Sequence, residues 1–225
     1  IEPGHFRFSV AGEPIMQLEV RHFWKHRGVE KLFERQPLLT AVPLAERISG
    51  DATVGHSLAY CQAVETLTHL NVPRRARYLR SLFLELERLH NHLGDVGAIC
   101  NDTAYALAHA HCSRMKERLM QLNDRLSGSR FLRGVLCVGG VARDMDKKSL
   151  ADTVEELNRI EQDFSELESI IFANASLTEA KVVSSIADQV HRLAVDAPSV
   201  PVALPKLPSK LCGWTTLFAR LLVEP

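Results

Sequence analysis

The sequence predicts a mainly α fold in which a small N-terminal β-hairpin leads into a bundle of long helices (α+β). Three observations carry that prediction. Residues 5 to 22 alternate apolar and polar side chains. From Arg27 the apolar period changes from two to about 3.6. The stretch after Pro73 then carries a broad apolar stripe of the kind a core-facing helix presents.

The hairpin places Phe6, Phe8 and Val10 on one face. Ala11-Gly12-Glu13-Pro14 supplies turn chemistry before Ile15, Leu18 and Val20. Leu58, Cys61, Val64 and Leu67 fall at helical spacing within Val54 to Leu70. Pro73 suits a first helical turn, because its missing N–H would have no intrahelical partner there. Beyond it Tyr78, Leu79, Leu82, Phe83, Leu86, Leu89 and Leu93 form the stripe, with Arg80, Glu87 and Arg88 expected largely off it. A further helix is expected from Thr103 to Leu126, stopped by Ser127-Gly128, and a short β segment or glycine-rich turn over Gly134 to Val141. Asp146 to Phe172 places Leu150, Val154, Leu157 and Ile160 inward and many acids outward. Thr178 to Leu193 is the last expected helix. Prolines at 198, 201, 205 and 208 forbid regular helix, and Leu211 to Val223 is unusually apolar. The expected organisation is therefore a hairpin over 1–25, a helical bundle over 26–193 with a β segment near 134–141, and a Pro-rich apolar tail over 194–225.

Composition narrows the function. The chain has 225 residues, 46% hydrophobic, enough to bury a real core. Lys plus Arg and Asp plus Glu are 27 each, so no basic excess is available to neutralise a phosphate backbone, and nucleic-acid binding is disfavoured. No run approaches the roughly 18 apolar residues of a membrane span, and no charged-then-apolar leader is present. Cys61, Cys100, Cys112, Cys137 and Cys212 are odd in number and widely spaced, which reads as reduced thiols in the cytoplasm. A start at Ile1, already in strand context, reads as a trimmed or processed product.

The residues alone offer little chemistry. Glu87 and His90 form a Glu-x-x-His pair, half of the set used in di-metal carboxylate bundles, but no second pair follows. An inter-helix polar contact is the plainer reading. His90/His92 and His109/His111 are two residues apart, so they point to different faces and cannot chelate together. Gly139-Gly140 precedes no helix start of the phosphate-binding kind.

A longer pattern is more informative. Glu2-Pro3-Gly4-His5-Phe6-Arg7, His26-Arg27-Gly28-Val29-Glu30-Lys31, Glu46-Arg47-Ile48, His56-Ser57 and Val72-Pro73-Arg74-Arg75-Ala76 occur in that order. Glu85-Leu86-Glu87-Arg88-Leu89-His90-Asn91-His92-Leu93 and Gly139-Gly140-Val141-Ala142-Arg143-Asp144 follow. Together they resemble the large subunits of energy-converting [NiFe] hydrogenases of the formate hydrogenlyase type. They resemble more loosely the quinone-proximal large subunit of respiratory complex I. The likeness covers residues 1–145 well and extends loosely to about 180.

The resemblance implies a partial hydrogenase large-subunit fold and a metal site, and at that site the chain departs from the family. Where the hydrogenases carry Arg-hydrophobic-Cys-Gly-x-Cys-x-x-x-His, this chain reads Arg47-Ile48-Ser49-Gly50-Asp51-Ala52-Thr53-Val54-Gly55-His56. A serine hydroxyl stays protonated near neutral pH and an alanine donates nothing, so neither replaces a soft thiolate on nickel. The second cysteine pair belongs near the C-terminus of a full-length relative, and in this tail only Cys212 is present. No metal is expected.

By the same resemblance Glu2 matches a proton-transfer glutamate and Arg47 an arginine beside the metal, making these two the candidate catalytic residues. In complex I relatives the corresponding cavity receives a quinone, which makes His5, Arg47, Ser49 and His56 its candidate lining. Gly50 stands where a tyrosine is expected, and the histidine-rich loop expected before Gly4 falls at or before the start of the chain. The implied partners are an iron–sulfur subunit and membrane-arm subunits of a complex-I-like assembly, met on the cytoplasmic side of the inner membrane. No cofactor is expected in this chain itself, with quinone as the candidate of the full complex. Residues 186–225 leave the family pattern, as a shortened, altered or frameshifted chain would, and their apolar end predicts self-association of the isolated chain. Three function classes stand open: a non-hydrogenase subunit with a structural or redox-coupling role, a quinone-reducing subunit, and a di-metal carboxylate bundle.

Overall fold

A computed structural model describes residues 4–173. Glu2, Cys212, the helix expected over 178–193 and the Pro-rich tail lie outside the described residues. The chain divides into two compact units, Ile1–Pro37 and Leu38–Pro225.

The first unit is an antiparallel ribbon of β1 (His5–Val10) and β2 (Ile15–Arg21), followed by the short helix α1 (Val29–Phe33). The turn closes through Ala11 N–H to the Pro14 carbonyl at 3.2 Å, with Gly12 at φ 73, a value an L side chain resists. Cross-strand pairs Phe6–Val20, Phe8–Leu18 and Val10–Ile15 build an apolar face, and His5–Arg21, Arg7–Glu19 and Ser9–Gln17 a polar one. The expected face is present, and its side chains are exposed.

The second unit is helical, with α2 (Val42–Ala45), α3 (Thr53–Thr68), α4 (Arg74–Asp102), α5 (Ala106–Ser127) and α6 (Lys147–Ala173). A two-stranded piece, β3 (Leu136–Cys137) with β4 (Gly140–Val141), occupies the segment read as a short β element. α4 runs to Asp102, well past Leu93, the last apolar residue of the expected stripe. Gly97 in that extension lets α5 approach closely: a Cβ there would meet Cys112 Cβ at 3.0 Å. α5 starts at Ala106 rather than Thr103, because the chain reverses through Ala104 at φ 60. It stops at Gly128, whose φ of 76 and N–H to the Asp124 carbonyl make a left-handed C-cap. Asp146 starts α6 by accepting the Ser149 N–H at 2.8 Å.

Leu79, Leu82, Phe83 and Leu86 from α4, Met115, Leu119 and Leu122 from α5, and Leu150 and Leu167 from α6 are fully buried together. Each such side chain contributes about 1.5–3 kcal/mol of burial. Among the described residues no helix is long and apolar enough to cross a membrane.

Candidate functional site

The predicted site residues fall into both units. His5 lies in β1 of the first unit, its ring 5.8 Å from that of Trp24. Arg47, Ser49 and His56 belong to the second unit, on the loop that joins α2 to α3 and on the first turn of α3. Arg47 is exposed there rather than buried, and it engages its surroundings from that surface. Ser49 turns its hydroxyl to Asp51 Oδ1 at 2.5 Å, and that bond holds the Asp51 carboxyl below the usual range against the opposing effect of partial burial. His56 donates its backbone N–H to the Ala52 carbonyl, so its ring projects from the first turn of α3.

Residues that spacing did not single out for this loop hold it in place. Glu87 of α4 accepts the Val54 N–H at 2.5 Å and the Gly55 N–H at 2.9 Å, with the Thr53 hydroxyl 3.3 Å away. A carboxylate from a neighbouring helix thus does what an N-cap side chain does, and it meets the positive end of α3. Burial pushes the Glu87 carboxyl up, against the pull of these donors. Asn91 Nδ2 donates to the Asp51 carbonyl at 3.0 Å, and the Thr53 hydroxyl reaches the Phe131 carbonyl. At the other end of the loop Glu46 accepts the Gly134 N–H at 2.7 Å, and burial raises its carboxyl too.

A second buried node lies beside the first. Arg80 donates to both oxygens of Glu65, at 2.9 and 2.5 Å, and to the carbonyls of Gly140 at 3.0 Å and Cys137 at 2.9 Å. Gly139 N–H donates to Glu65 Oε1 at 2.7 Å. Burial alone would raise the Glu65 carboxyl, but Arg80 and the Gly139 amide carry it below the ordinary value. The pair therefore ties α3, α4 and the β3–β4 piece together. Arg80 and Glu87, expected largely off the α4 stripe, are each 4% exposed. They lie on the row Ala76–Arg80–Phe83–Glu87–His90, which faces α3 and the returning chain rather than solvent. That row, at alternating steps of four and three, was the available signal.

The donor set does not fit a nickel–iron centre. At the two N-terminal ligand positions stand a serine hydroxyl already given to Asp51 and an alanine. Burial holds the Cys61 thiol up at about 11 and the Cys112 thiol at about 12, so both are core thiols rather than thiolates. Among the described residues no three His, Cys, Asp or Glu side chains converge as metal ligands. Glu87, the carboxylate of the Glu-x-x-His pair, is turned to the α3 amides.

Two family models match successive parts of this architecture: nickel-dependent hydrogenase over residues 27–94, and the 49 Kd subunit of respiratory-chain NADH dehydrogenase over residues 95–190. The chain belongs to the large-subunit family that these hydrogenases share with the NADH dehydrogenases. Within it, hydrogenase-4 component G of Escherichia coli K12 is 34% identical over 228 residues, 99% of this chain and 41% of that protein. Formate hydrogenlyase subunit 5 of the same organism is 34% identical over 80% of this chain and 32% of its own length. A subunit of the NADH-quinone oxidoreductase of Neisseria meningitidis is 37% identical over 61% of this chain and 33% of its own length. The chain thus spans less than half of each of these relatives. A solved structure of the membrane-bound sulfane sulfur reductase, an archaeal respiratory membrane complex, shares the fold with a TM-score of 0.72 at 23% identity. That match covers 80% of this chain and 52% of the other.

Proposed function

We propose that this chain is part of a non-hydrogenase large subunit in a complex-I-like, membrane-associated oxidoreductase, with a structural or redox-coupling role. Its helical unit is then a partial [NiFe]-hydrogenase large-subunit fold whose metal position has been rebuilt as a polar loop. The observation that carries the reading is the loop itself: Ser49, Asp51, Thr53 and Asn91 satisfy one another and the backbone where thiolates would bind metal. The subunit meets an iron–sulfur subunit and membrane-arm subunits on the cytoplasmic side, peripheral to the inner membrane. The names of its relatives, each a component or subunit of a larger enzyme, support the multisubunit assembly, and the membrane complex of the structural neighbour supports the association with a membrane.

The test is elemental analysis and hydrogen-dependent dye reduction on the full-length protein in its native complex. Background nickel and no dye reduction are expected; about one nickel per chain overturns the reading. Light scattering of the isolated chain at micromolar concentration is expected to show self-association, since the ribbon face of Phe6, Phe8, Leu18 and Val20 is uncovered. A clean monomer contradicts it.

A second reading, in which the rebuilt site takes a quinone, is favoured by the exposure of Arg47 on the loop that carries Ser49 and leads to His56 of α3. Arg47 would anchor a carbonyl oxygen through its forked donors. His56, on the first turn of α3, would move the proton. Arg47→Ala is expected to weaken short-chain quinone affinity about tenfold or more in the native complex, the loss of one charged hydrogen bond. Equal affinity and turnover in both proteins remove this reading and leave the first in place.

A further inference from the structure

His90 is 1% exposed, and neither ring nitrogen makes a hydrogen bond. Its ring stands edge-on to Phe131, with centroids 6.1 Å apart. The carbonyls of Asp51 and Leu86 lie alongside the nitrogens without reaching bonding geometry. An imidazole in such a place is tolerated neutral and penalised charged, because burial removes the water that would solvate the cation.

The charged groups around it relieve that penalty only in part. On α4, Glu87 lies one turn away with its carboxylate committed to the Val54 and Gly55 amides. From α5, Lys116 brings a like charge, its ammonium packed so tightly on Gly94 that a Cβ there would meet Nζ at 2.6 Å. From the segment after α5, Arg133 lies over the Phe131 ring, 5.7 Å from its centroid. The loop before α3 supplies Asp51, a counter-charge that favours the cation but is outweighed by burial, and its carboxylate already takes the Ser49 hydroxyl.

Of these walls α4 and α5 are core, and the loop is the surface. Arg47, Gly50 and Asp51 are exposed; the loop rests on α4 through Asn91, and the first turn of α3 that follows it rests on α4 through Glu87. We propose that His90 is a pH-operated latch for the loop at residues 47–52: the loop closes over the neutral imidazole and lifts when the ring takes up a proton. Lifting lets water reach the cation at the cost of the Asn91 and Glu87 bonds.

The direction follows from linkage. Burial, with Lys116 adding to it, lowers the His90 pKa in the closed form below the 6.5 of an open one. The closed form is therefore fully favoured above about pH 6.5 and loses ground as pH falls from there toward the closed-state value. Across that window one proton is taken up per opening, so the opening equilibrium rises about tenfold per pH unit. The buried carboxyls of Glu87 and Glu46 are shifted upward, so their contributions are strongest at low pH and run the opposite way. His92 is also lowered by burial, so the assignment needs a His90 variant.

The experiment follows amide exchange at Val54, Gly55 and His56 by NMR on the full chain, corrected for the intrinsic pH dependence of exchange. Wild type is expected to open about tenfold more per pH unit below pH 6.5, and His90→Phe, which keeps a ring against Phe131, is expected to be flat. An equal slope in both proteins, or a flat wild type, overturns the latch. Should His90→Phe not fold, the wild-type His90 Cε1–H signal decides, assigned through bonds to the α4 backbone. A midpoint below 6.5 that coincides with amide opening is expected. A midpoint at or above 6.5 with the amides still protected overturns the proposal.

Discussion

Replacing Arg80 with Ala is expected to lower the unfolding free energy by about 3–5 kcal/mol, measured by urea denaturation. The substitution leaves the Glu65 carboxylate charged and buried, and it strips the donors from the Cys137 and Gly140 carbonyls. The pair is not thereby worth that much, since two desolvated ions roughly offset their own attraction. The double variant Arg80→Met with Glu65→Leu is therefore expected to recover part of the loss. It cannot recover all of it, because Gly139 N–H and two carbonyls remain unpaired. Wild-type stability should also fall on acidification. The folded Glu65 pKa is lowered, so its contribution is present above the unfolded value of 4.5 and is lost as pH drops through the folded one. A loss below about 1 kcal/mol in Arg80→Ala would place the pair among surface ion pairs.

Glu87→Ala is expected to cost about 3 kcal/mol, and its effect should be local before it is global. The Val54 and Gly55 N–H groups lose their acceptor in a place water does not reach, and the first turn of α3 frays. Amide exchange at those two residues should accelerate well below the global unfolding midpoint. Glu87→Gln keeps one acceptor oxygen and is expected to cost about half as much. If exchange at Val54 and Gly55 is unchanged in Glu87→Ala, the carboxylate is not their cap.

Much of the fold was legible because the period of the apolar residues reports which element they form. The hairpin face, α3, the start of α4 and the body of α6 all follow from that spacing, although the hairpin face and Leu67 of α3 are exposed rather than buried. The end of α4 was not legible. Past Leu93 the stripe is carried by Val96, Gly97 and Cys100, small side chains whose burial comes from the close approach of α5 rather than from their own size. The departure at Ser49 and Ala52 was visible as a loss of ligands, but what replaced them was not. Asn91 reaches Asp51 across 40 residues and Thr53 reaches Phe131 across 78, and no local pattern announces such pairs. Arg80 and Glu87 misled for a related reason. A charge on the flank of an apolar stripe reads as solvent-facing unless its partner elsewhere in the chain is known.

The same long separations set an order of assembly. α4 and α5 are neighbours in sequence and can pair as a helical hairpin as soon as both are made, a low-cost closure. The loop before α3 must wait. Its distant anchors are Gly134, 88 residues beyond Glu46 at one end, and Phe131, 78 beyond Thr53 at the other. During synthesis the residues that stand in the family's metal position are thus made early and locked late. Until Phe131 and Gly134 have been made, that loop has only the α4 anchors Asn91 and Glu87 to rest on. Its closing marks the moment at which the helical unit stops being a hairpin with a loose arm and becomes a ring of mutual contacts.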